Sequence, residues 1–221
     1  MREISNEEND IRHVADRGIC FVGISDAAGR RNEVREELDF FLERAGWAGR
    51  LTEGLERGRL PLRVTHNDTK LNNVLLDTKT GQALCVVDLD TVMPGLTAYD
   101  YGEAIRTGAS TAPEDEPDPQ RIQLSLPLVR AYTRGFLRET GNTLTEEEKA
   151  SLPWGARIMT LENGIRFLTD YLEGDVYFAV HRLRHNLDRA RAQMTLEKRM
   201  EEHWEEMQAA LEGPADGKET E

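Results

Sequence analysis

Apolar residues recur at helical spacing over long parts of the chain. Between residues 31 and 45 they form one face opposite several glutamates, which predicts an amphipathic helix. Thr145 with Glu148 three residues later is a capping-box signature that opens a further helix. Pro127 and Pro153 fall inside two of the predicted helices, where we expect perturbed turns. The helices predicted beyond the centre of the chain span about residues 120–139, 145–168 and 176–211.

The centre of the chain carries short apolar runs typical of strands. These runs lie at residues 62–65, 74–76 and 83–87. A polar stretch ending near Gly81 separates the last two, as a hairpin loop does. Cys85, within the third run, is predicted to be a small buried residue. The sequence therefore predicts an α+β fold that is mainly α-helical, with a short central β-hairpin and a loop at residues 66–73.

The two ends of the chain differ from the middle. Residues 1–30 are polar apart from an apolar run at 19–24 that suggests a strand, so we expect a poorly defined N-terminal remnant. Residues 31–211 form the main predicted domain, and 212–221 are expected to be a disordered tail. Residues 111–119, with three prolines and four acids, predict a mobile surface loop.

Charge limits the expected partners. The formal net charge is -13, from 28 basic and 41 acidic side chains, and that sign repels polyanions. Neither nucleic acid nor an anionic membrane is therefore expected as a partner. The two cysteines indicate no disulfide framework, and no signal peptide or apolar run of membrane-spanning length is evident. We expect a cytoplasmic protein.

The candidate chemistry lies in the sequence His-Asn-Asp-Thr-Lys-Leu-Asn-Asn at residues 66–73, with Asp88 after the next apolar run. Phosphoryl transfer to a hydroxyl needs a carboxylate base, oxygen ligands for Mg²⁺ and positive charge on the phosphates. Asp68 fits the base, Asn73 and Asp88 fit the metal ligands, and Lys70 fits the contact to the γ-phosphate of ATP.

A second carboxylate follows two residues after Asp88. On a continuing strand Asp90 would point to the same face, where it would help to hold a second metal ion. A solvated turn residue is an equal alternative for Asp90. For the whole cluster, the alternative is a turn rich in Asn and Asp with no chemistry.

These segments carry a family resemblance. Residues 64–75, 87–95 and 99–106 resemble the aminoglycoside phosphotransferase and choline kinase superfamily. Within it, their sequence is most similar to that of the N-acetylhexosamine 1-kinases. The likeness continues through residues 166–178. It implies a protein-kinase-like C-terminal lobe that transfers the γ-phosphoryl group of ATP to a sugar hydroxyl.

The same resemblance implies roles for single residues. Asp68 is the implied base, Asn73 and Asp88 the implied metal ligands, and Asp100 a buried residue that supports the loop. His66 is expected to prop the loop without acting as a base.

The resemblance also suggests a sugar pocket. Arg166, Asp170 and Tyr171 are the implied substrate contacts, and Arg106 has similar standing. Glu162, Arg166 and Asp170 are four residues apart on one helix face, so an ordinary ladder of ion pairs is an equal alternative. The basic residues between 181 and 191 indicate a solvated helix face.

One departure from the family opens a further alternative. The resembling proteins carry an N-terminal lobe that grips the nucleotide, and nothing before Arg31 is recognisable as such a lobe. The first hypothesis is an ATP- and Mg²⁺-dependent kinase of an amino sugar. The second is a fragment that needs a separate N-terminal lobe as partner and binds metal or sugar without transferring phosphate alone. A metal-dependent phosphohydrolase using Asp68, Asp88 and Asp90 fits less well, because two-metal sites need more ligands.

Overall fold

The computed structural model describes residues 26–212. The predicted strand at 19–24 and the predicted disordered tail beyond Glu212 lie outside the described residues. The helices are α1 Arg35–Glu56, α2 Thr97–Gly108, α3 Leu126–Thr140, α4 Glu146–Glu173, α5 His185–Glu202 and α6 Trp204–Ala209. The strands are β1 Arg63–Thr65, β2 Val74–Leu76, β3 Ala83–Val86 and β4 Met93–Gly95. The protein is thus mainly α-helical with little sheet, which confirms the predicted fold class.

The strands form two separate antiparallel pairs. β2 and β3 form the predicted hairpin, in which Val74 lies opposite Val86, with an irregularity between Leu75 and Leu76. β1 pairs with β4, which the sequence did not predict. Pro94 lies in the middle of β4, and a proline argues against a strand unless the strand is at an edge.

Helix α4 has 28 residues and begins as predicted. The Thr145 side chain accepts a hydrogen bond from the Glu148 amide, and the Glu148 carboxylate accepts one from the Thr145 amide, which confirms the capping box. Pro153 lies inside the helix, but the helix continues without a break to Glu173. Gly174 ends it with a φ of 104°, a conformation that glycine adopts readily.

Two predicted helix starts are wrong. The helix expected from residue 120 begins at Leu126, with Pro127 in its first turn, where a proline removes no internal hydrogen bond. The helix expected from residue 176 begins at His185. Residues 174–184 have irregular backbone instead, and we call them the strap. Their apolar residues recur at helical spacing, but the segment does not form a helix.

Helices α2, α4 and α5 form the centre of the molecule, and α2 approaches α4 very closely. A Cβ at Gly102 would overlap the backbone of Gly155, and a Cβ at Gly155 would overlap the backbone carbonyl of Ala98. Two buried clusters flank this contact. Phe41 and Leu168 belong to the cluster between α1, α4 and α5, and Tyr101 belongs to the other.

Several surface features differ from expectation. Cys85 is exposed, which corrects its predicted burial, because the β2–β3 hairpin leaves both of its faces open. The acidic loop at 111–119 is anchored, since Asp115 pairs with Arg182 and with His185 of α5. The predicted solvated face at the start of α5 is therefore partly engaged by this loop. None of the described helices is long and apolar enough to cross a membrane.

Candidate functional site

The loop at residues 66–73 connects β1 to β2, and Asp100 of α2 holds its backbone. The two oxygens of the Asp100 carboxylate accept hydrogen bonds from the amides of His66, at 2.9 Å, and Asn67, at 2.7 Å. Thr69 donates its hydroxyl to the Asp100 carbonyl. Asn67 has a φ of 63°, a left-handed conformation that asparagine tolerates better than most residues. Asp100 thus supports the loop as expected, although it is half-buried and not fully buried.

His66 joins this loop to the end of the hairpin. Its Nε2 donates to the Val87 carbonyl at 3.0 Å, and its Nδ1 accepts from the Asp68 amide at 3.3 Å. Both ring nitrogens are therefore engaged by backbone groups. This confirms that His66 props the loop, and it leaves no ring nitrogen for proton transfer.

Asp68 and two neighbours form the polar centre of the loop. Oδ2 of Asp68 accepts from Lys70 Nζ at 2.7 Å and from Asn73 Nδ2 at 2.8 Å. Asn73 Nδ2 also donates to the Asp68 carbonyl, at 2.9 Å. These bonds fix the Asp68 side chain by one oxygen. No residue between 26 and 212 donates to the other oxygen, Oδ1.

Asp88 lies next to this group because the hairpin returns it there. The Val87 amide donates to the Asn73 carbonyl at 2.9 Å, so Asp88 follows directly on a residue bonded to Asn73. The hydrogen bond that Lys70 donates to Asp68 raises the pKa of Lys70, burial lowers it, and the charges of Asp68 and Asp88 raise it further. Asp88 is therefore close enough to act on Lys70. Asp88 itself has a φ of 62°.

Asp90 does not continue the strand. Residues Leu89–Thr91 form a 3₁₀ turn, so the expectation that Asp90 shares a strand face with Asp88 is wrong in its geometry. The turn is tied to the loop, because the Thr91 hydroxyl donates to the His66 carbonyl at 2.6 Å. Asp90 is exposed, and its role in metal binding stays a prediction.

The oxygens around Asp68 suit a hard cation. Asn73 directs its Nδ2 to Asp68, which leaves its Oδ1 without a hydrogen bond from any described residue. The Asp88 carboxylate likewise has no hydrogen bond or ion pair within residues 26–212. Mg²⁺ prefers one or two such oxygens and completes its shell with water and phosphate. The donor set therefore fits Mg²⁺. No group of three or more His, Cys, Asp or Glu side chains able to hold a metal occurs among the described residues.

A cavity of about 360 Å³ lies between α4 and the strap. Glu162, Arg166 and Asp170 line its α4 side, and Tyr177 and Phe178 line its strap side. Burial raises the pKa of Glu162, an effect that the charge of Arg166 opposes. The cavity thus combines aromatic rings with carboxylate and guanidinium groups.

The predicted substrate contacts take different positions around this cavity. Arg166 is exposed, and its guanidinium lies 5.5 Å from the centre of the Phe178 ring. Asp170 is buried, and its carboxylate is fully engaged by protein donors. Tyr171 donates its hydroxyl to Glu33 at 3.3 Å and is not among the residues that line the cavity. The structure brings Arg166 and Asp170 to one cavity, and Tyr171 lies apart from its lining.

Arg106, the other candidate, is buried among protein partners. It pairs with Glu103 at 2.6 Å and with Glu114 at 2.6 Å, and it donates to Gln193 at 3.2 Å. Burial lowers the pKa of Arg106, but the hydrogen bonds and charges of Glu103 and Glu114 raise it by more. Arg106 therefore anchors α2 and the acidic loop.

Glu103 is a residue that the sequence interpretation missed. Its charge contributes to the pKa of Lys70 beside the loop and to the pKa of Glu162 in the cavity. Tyr99, one turn earlier on α2, is also near Glu162: burial and the charge of Glu162 raise the pKa of Tyr99 to about 12. Glu103 is therefore within electrostatic reach of both the loop and the cavity. The spacing of Tyr99 and Glu103, four residues apart on α2, places them on one face of the helix.

The chain matches the model of a known protein family. The model of a family described as the phosphotransferase enzyme family matches residues 22–139, more than half of the 221-residue chain. The matched part contains the loop at 66–73, the hairpin and α2.

Proposed function

This chain belongs to the phosphotransferase enzyme family, and from that premise we propose that it transfers the γ-phosphoryl group of ATP to a hydroxyl of an amino sugar or a similar polyol. Phosphoryl transfer depends on positioning and on electrostatic stabilisation more than on covalent chemistry of the protein. The arrangement around Asp68 supplies the groups for both.

The proposal depends chiefly on the state of the Asp68 carboxylate. Lys70 and Asn73 hold Oδ2, and Oδ1 accepts no hydrogen bond from the described residues. A carboxylate fixed by one oxygen and open at the other suits a base that orients a hydroxyl and accepts its proton. In this proposal Asp68 binds the acceptor hydroxyl through Oδ1.

The phosphate side of the site uses the neighbouring oxygens and one cation of the protein. Asn73 Oδ1 and the Asp88 carboxylate would hold Mg²⁺, and Asp90 would assist. When bound, Mg²⁺ neutralises negative charge on the phosphates of ATP. Lys70 pairs with Asp68 at 2.7 Å in this structure and would contact the γ-phosphate once ATP is present.

The acceptor side uses the cavity between α4 and the strap. A sugar offers hydroxyls to polar side chains and C–H groups to aromatic faces, and the cavity provides both kinds of surface. Arg166 is the proposed direct contact to the acceptor. Tyr171 stays a candidate contact, although its hydroxyl is engaged by Glu33.

The test is an assay of ATP consumption that depends on added amino sugar, with Mg²⁺ present. We expect the wild-type protein to turn over and Asp68→Asn to lose at least about 100-fold in kcat, as the loss of a general base does. Asp39→Asn, an exposed aspartate of α1, serves as the matched control and keeps wild-type turnover. If Asp68→Asn retains full turnover, Asp68 is not the base.

A second candidate function is that of a partner-dependent kinase, and an exposed apolar surface favours it. The strands and turns on the loop side of the molecule expose ten large apolar side chains, and exposed apolar patches on soluble proteins mark interaction sites. An isolated two-stranded hairpin such as β2–β3 is also marginally stable. We call this group the hairpin surface; its members are Leu62, Val64, Leu71, Leu75, Leu76, Leu84, Val86, Leu89, Val92 and Met93.

The partner proposed for this surface is a domain that supplies further nucleotide-binding residues, because the surface adjoins Asn73 and Asp88. Calorimetry with ATP and Mg²⁺ separates the two candidates. A kinase that acts alone binds the nucleotide without any partner. A partner-dependent chain shows no heat of binding with the nucleotide and still binds the amino sugar.

A further inference from the structure

The Asp170 carboxylate is buried, and it accepts hydrogen bonds from three backbone amides and one side-chain amide. Only 2% of the residue is exposed. Oδ1 accepts from the amides of Val176, at 2.9 Å, and Tyr177, at 2.7 Å. Oδ2 accepts from the Phe178 amide at 3.0 Å and from Asn186 Nδ2 at 2.7 Å. Four donors therefore converge on one side chain, which leaves its oxygens little capacity for a ligand.

These bonds fix the strap at its start. The Asp175 amide adds a bond to the Asp170 carbonyl at 2.7 Å, and Asn186 also donates to the Asp175 carboxylate at 3.0 Å. Asp175 has a φ of 62°, a conformation that needs such support. The first residues of the strap thus take their path from contacts to α4 and α5.

The fixed part of the strap is also the second wall of the cavity. Tyr177 and Phe178, whose amides bind Asp170, line the cavity opposite α4. The Phe178 ring packs on Phe167 with ring centres 4.8 Å apart, and the Tyr177 ring lies 4.8 Å from Phe178. Tyr177 is 74% exposed, so its ring is held mainly from its backbone.

We propose that Asp170 is a positioning residue, and that the strap wall it holds, with Tyr177 at its edge, sets which acceptor the cavity takes. The proposal rests on the proposed function, since it treats the cavity as the acceptor site. It assigns to Asp170 an indirect role in place of a hydrogen bond to the sugar. The ligand class is a polyol ring that offers an apolar face to Tyr177 and hydroxyls to Arg166 and Glu162.

The first arm of the experiment needs no activity. Asp170→Asn keeps the shape of the side chain but places an amide group against two of the four donors. We expect the amides of Val176, Tyr177 and Phe178 to exchange hydrogen at least about tenfold faster than in the wild type. Glu148→Gln, another buried carboxylate that accepts a backbone amide at the opposite end of α4, is the control and leaves these three amides unchanged. Unchanged exchange in Asp170→Asn would overturn the positioning role.

The second arm measures specificity with a variant that folds. Tyr177→Ala removes an exposed ring, and we expect the KM for the acceptor to rise about tenfold, with kcat and the KM for ATP within about twofold. Leu183→Ala is the matched control, because Leu183 is 94% exposed, belongs to the strap and does not line the cavity. An unchanged acceptor KM in Tyr177→Ala would contradict the specificity role.

The two arms separate this inference from the proposed function. A wild-type protein that consumes no ATP with any amino sugar sinks the proposed function and the specificity role together. The exchange result for Asp170→Asn then still decides whether this carboxylate holds the strap.

Discussion

At the scale of single residues, the loop that carries Asp68 is held in place by side chains that form hydrogen bonds to its backbone and to the end of the hairpin. Asp100 accepts two loop amides, and His66 contacts backbone through both ring nitrogens. Both roles follow from the family resemblance of the sequence. What the sequence does not contain is the direction of the amide of Asn73, which turns its nitrogen to Asp68 and frees its oxygen. That direction depends on the folded positions of both side chains.

Replacing Asp100 tests how far the loop depends on it. In Asp100→Asn one of the two loop amides faces an NH₂ group instead of an oxygen. We expect a loss of about 1–3 kcal/mol in the free energy of unfolding, the usual effect of an unsatisfied donor. Because Asp68 lies on the displaced loop, kcat should fall by more than this loss of stability explains. Denaturant titration and steady-state kinetics together give both values, and an unaltered kcat would show that the loop holds its shape without Asp100.

Glu197 gives a prediction on pH. It is fully buried beside Arg157, and no described residue donates a hydrogen bond to its Oε2. Burial raises its pKa from 4.5 to about 8, while Arg157 acts in the opposite direction. Between these two values the folded protein keeps a proton that the unfolded chain has lost. This contribution to stability is therefore complete below pH 4.5, and it is lost as the pH rises to about 8.

Glu197→Gln removes that titration. Between pH 5 and pH 8, we expect the free energy of unfolding to fall less in the variant than in the wild type. The expected difference between the two falls is about 1 kcal/mol or more. Urea titrations at several pH values measure the difference. Parallel pH profiles for the two proteins would mean that Glu197 is ionised throughout.

At the scale of elements, the distance between α2 and α4 fixes the site. Asp100, Tyr99 and Glu103 are all on α2, and α2 meets α4 at Gly102 and Gly155 without intervening side chains. A larger residue at either glycine would push the helix that supports the loop away from the helix that lines the cavity.

Gly102→Ala tests this contact. The new methyl group overlaps backbone and not a flexible side chain, so we expect a loss of about 2 kcal/mol or more in the free energy of unfolding. Gly135→Ala within α3 is the matched control, because nothing lies within 4 Å of its Cβ position. There the same change should be neutral or stabilising, since alanine favours helix by about 1 kcal/mol. Equal effects in both variants would argue against a close contact.

The sequence predicts elements whose signals are local. The hairpin β2–β3 and the start of α4 were predicted because turn residues and a capping box mark them. The pairing of β1 with β4 was not, because it joins residues about thirty positions apart and runs through Pro94. The sequence predicts a helix over most of the strap because its apolar residues recur at helical spacing. That spacing does not show that the Asp170 carboxylate accepts hydrogen bonds from the strap amides, which are then not available to a helix.

At the scale of the whole molecule, the hairpin surface is the feature that the helical core does not explain. Leu84 and Val64 are 65% and 82% exposed, on the side of the molecule that carries Asn73 and Asp88. Cys85 was predicted to be buried because its neighbours are apolar, and it is exposed because nothing in the described structure covers the hairpin. Apolar composition therefore predicted burial for a surface that the helices leave open.

Leu84→Glu tests whether this surface serves a partner. Because the side chain is largely exposed, we expect the change to alter the free energy of unfolding by less than about 0.5 kcal/mol. If a partner domain covers the hairpin, the same change should weaken its binding at least about tenfold, because a charge would be buried in an apolar contact. Thermal unfolding and calorimetry with the candidate partner measure the two effects. Tight binding of the partner by Leu84→Glu would place the contact elsewhere.

The most direct test of the account is the binding of Mn²⁺, in place of Mg²⁺, followed by electron paramagnetic resonance in the presence of ATP. The free oxygens of Asn73 and Asp88 predict that the wild-type protein binds the ion and that Asp88→Asn loses at least about tenfold in affinity. Asp77→Asn, at the far end of the hairpin, should bind as the wild type does. Equal Mn²⁺ affinity in Asp88→Asn and the wild type would contradict the proposed convergence of Asn73 and Asp88 on one cation beside Asp68.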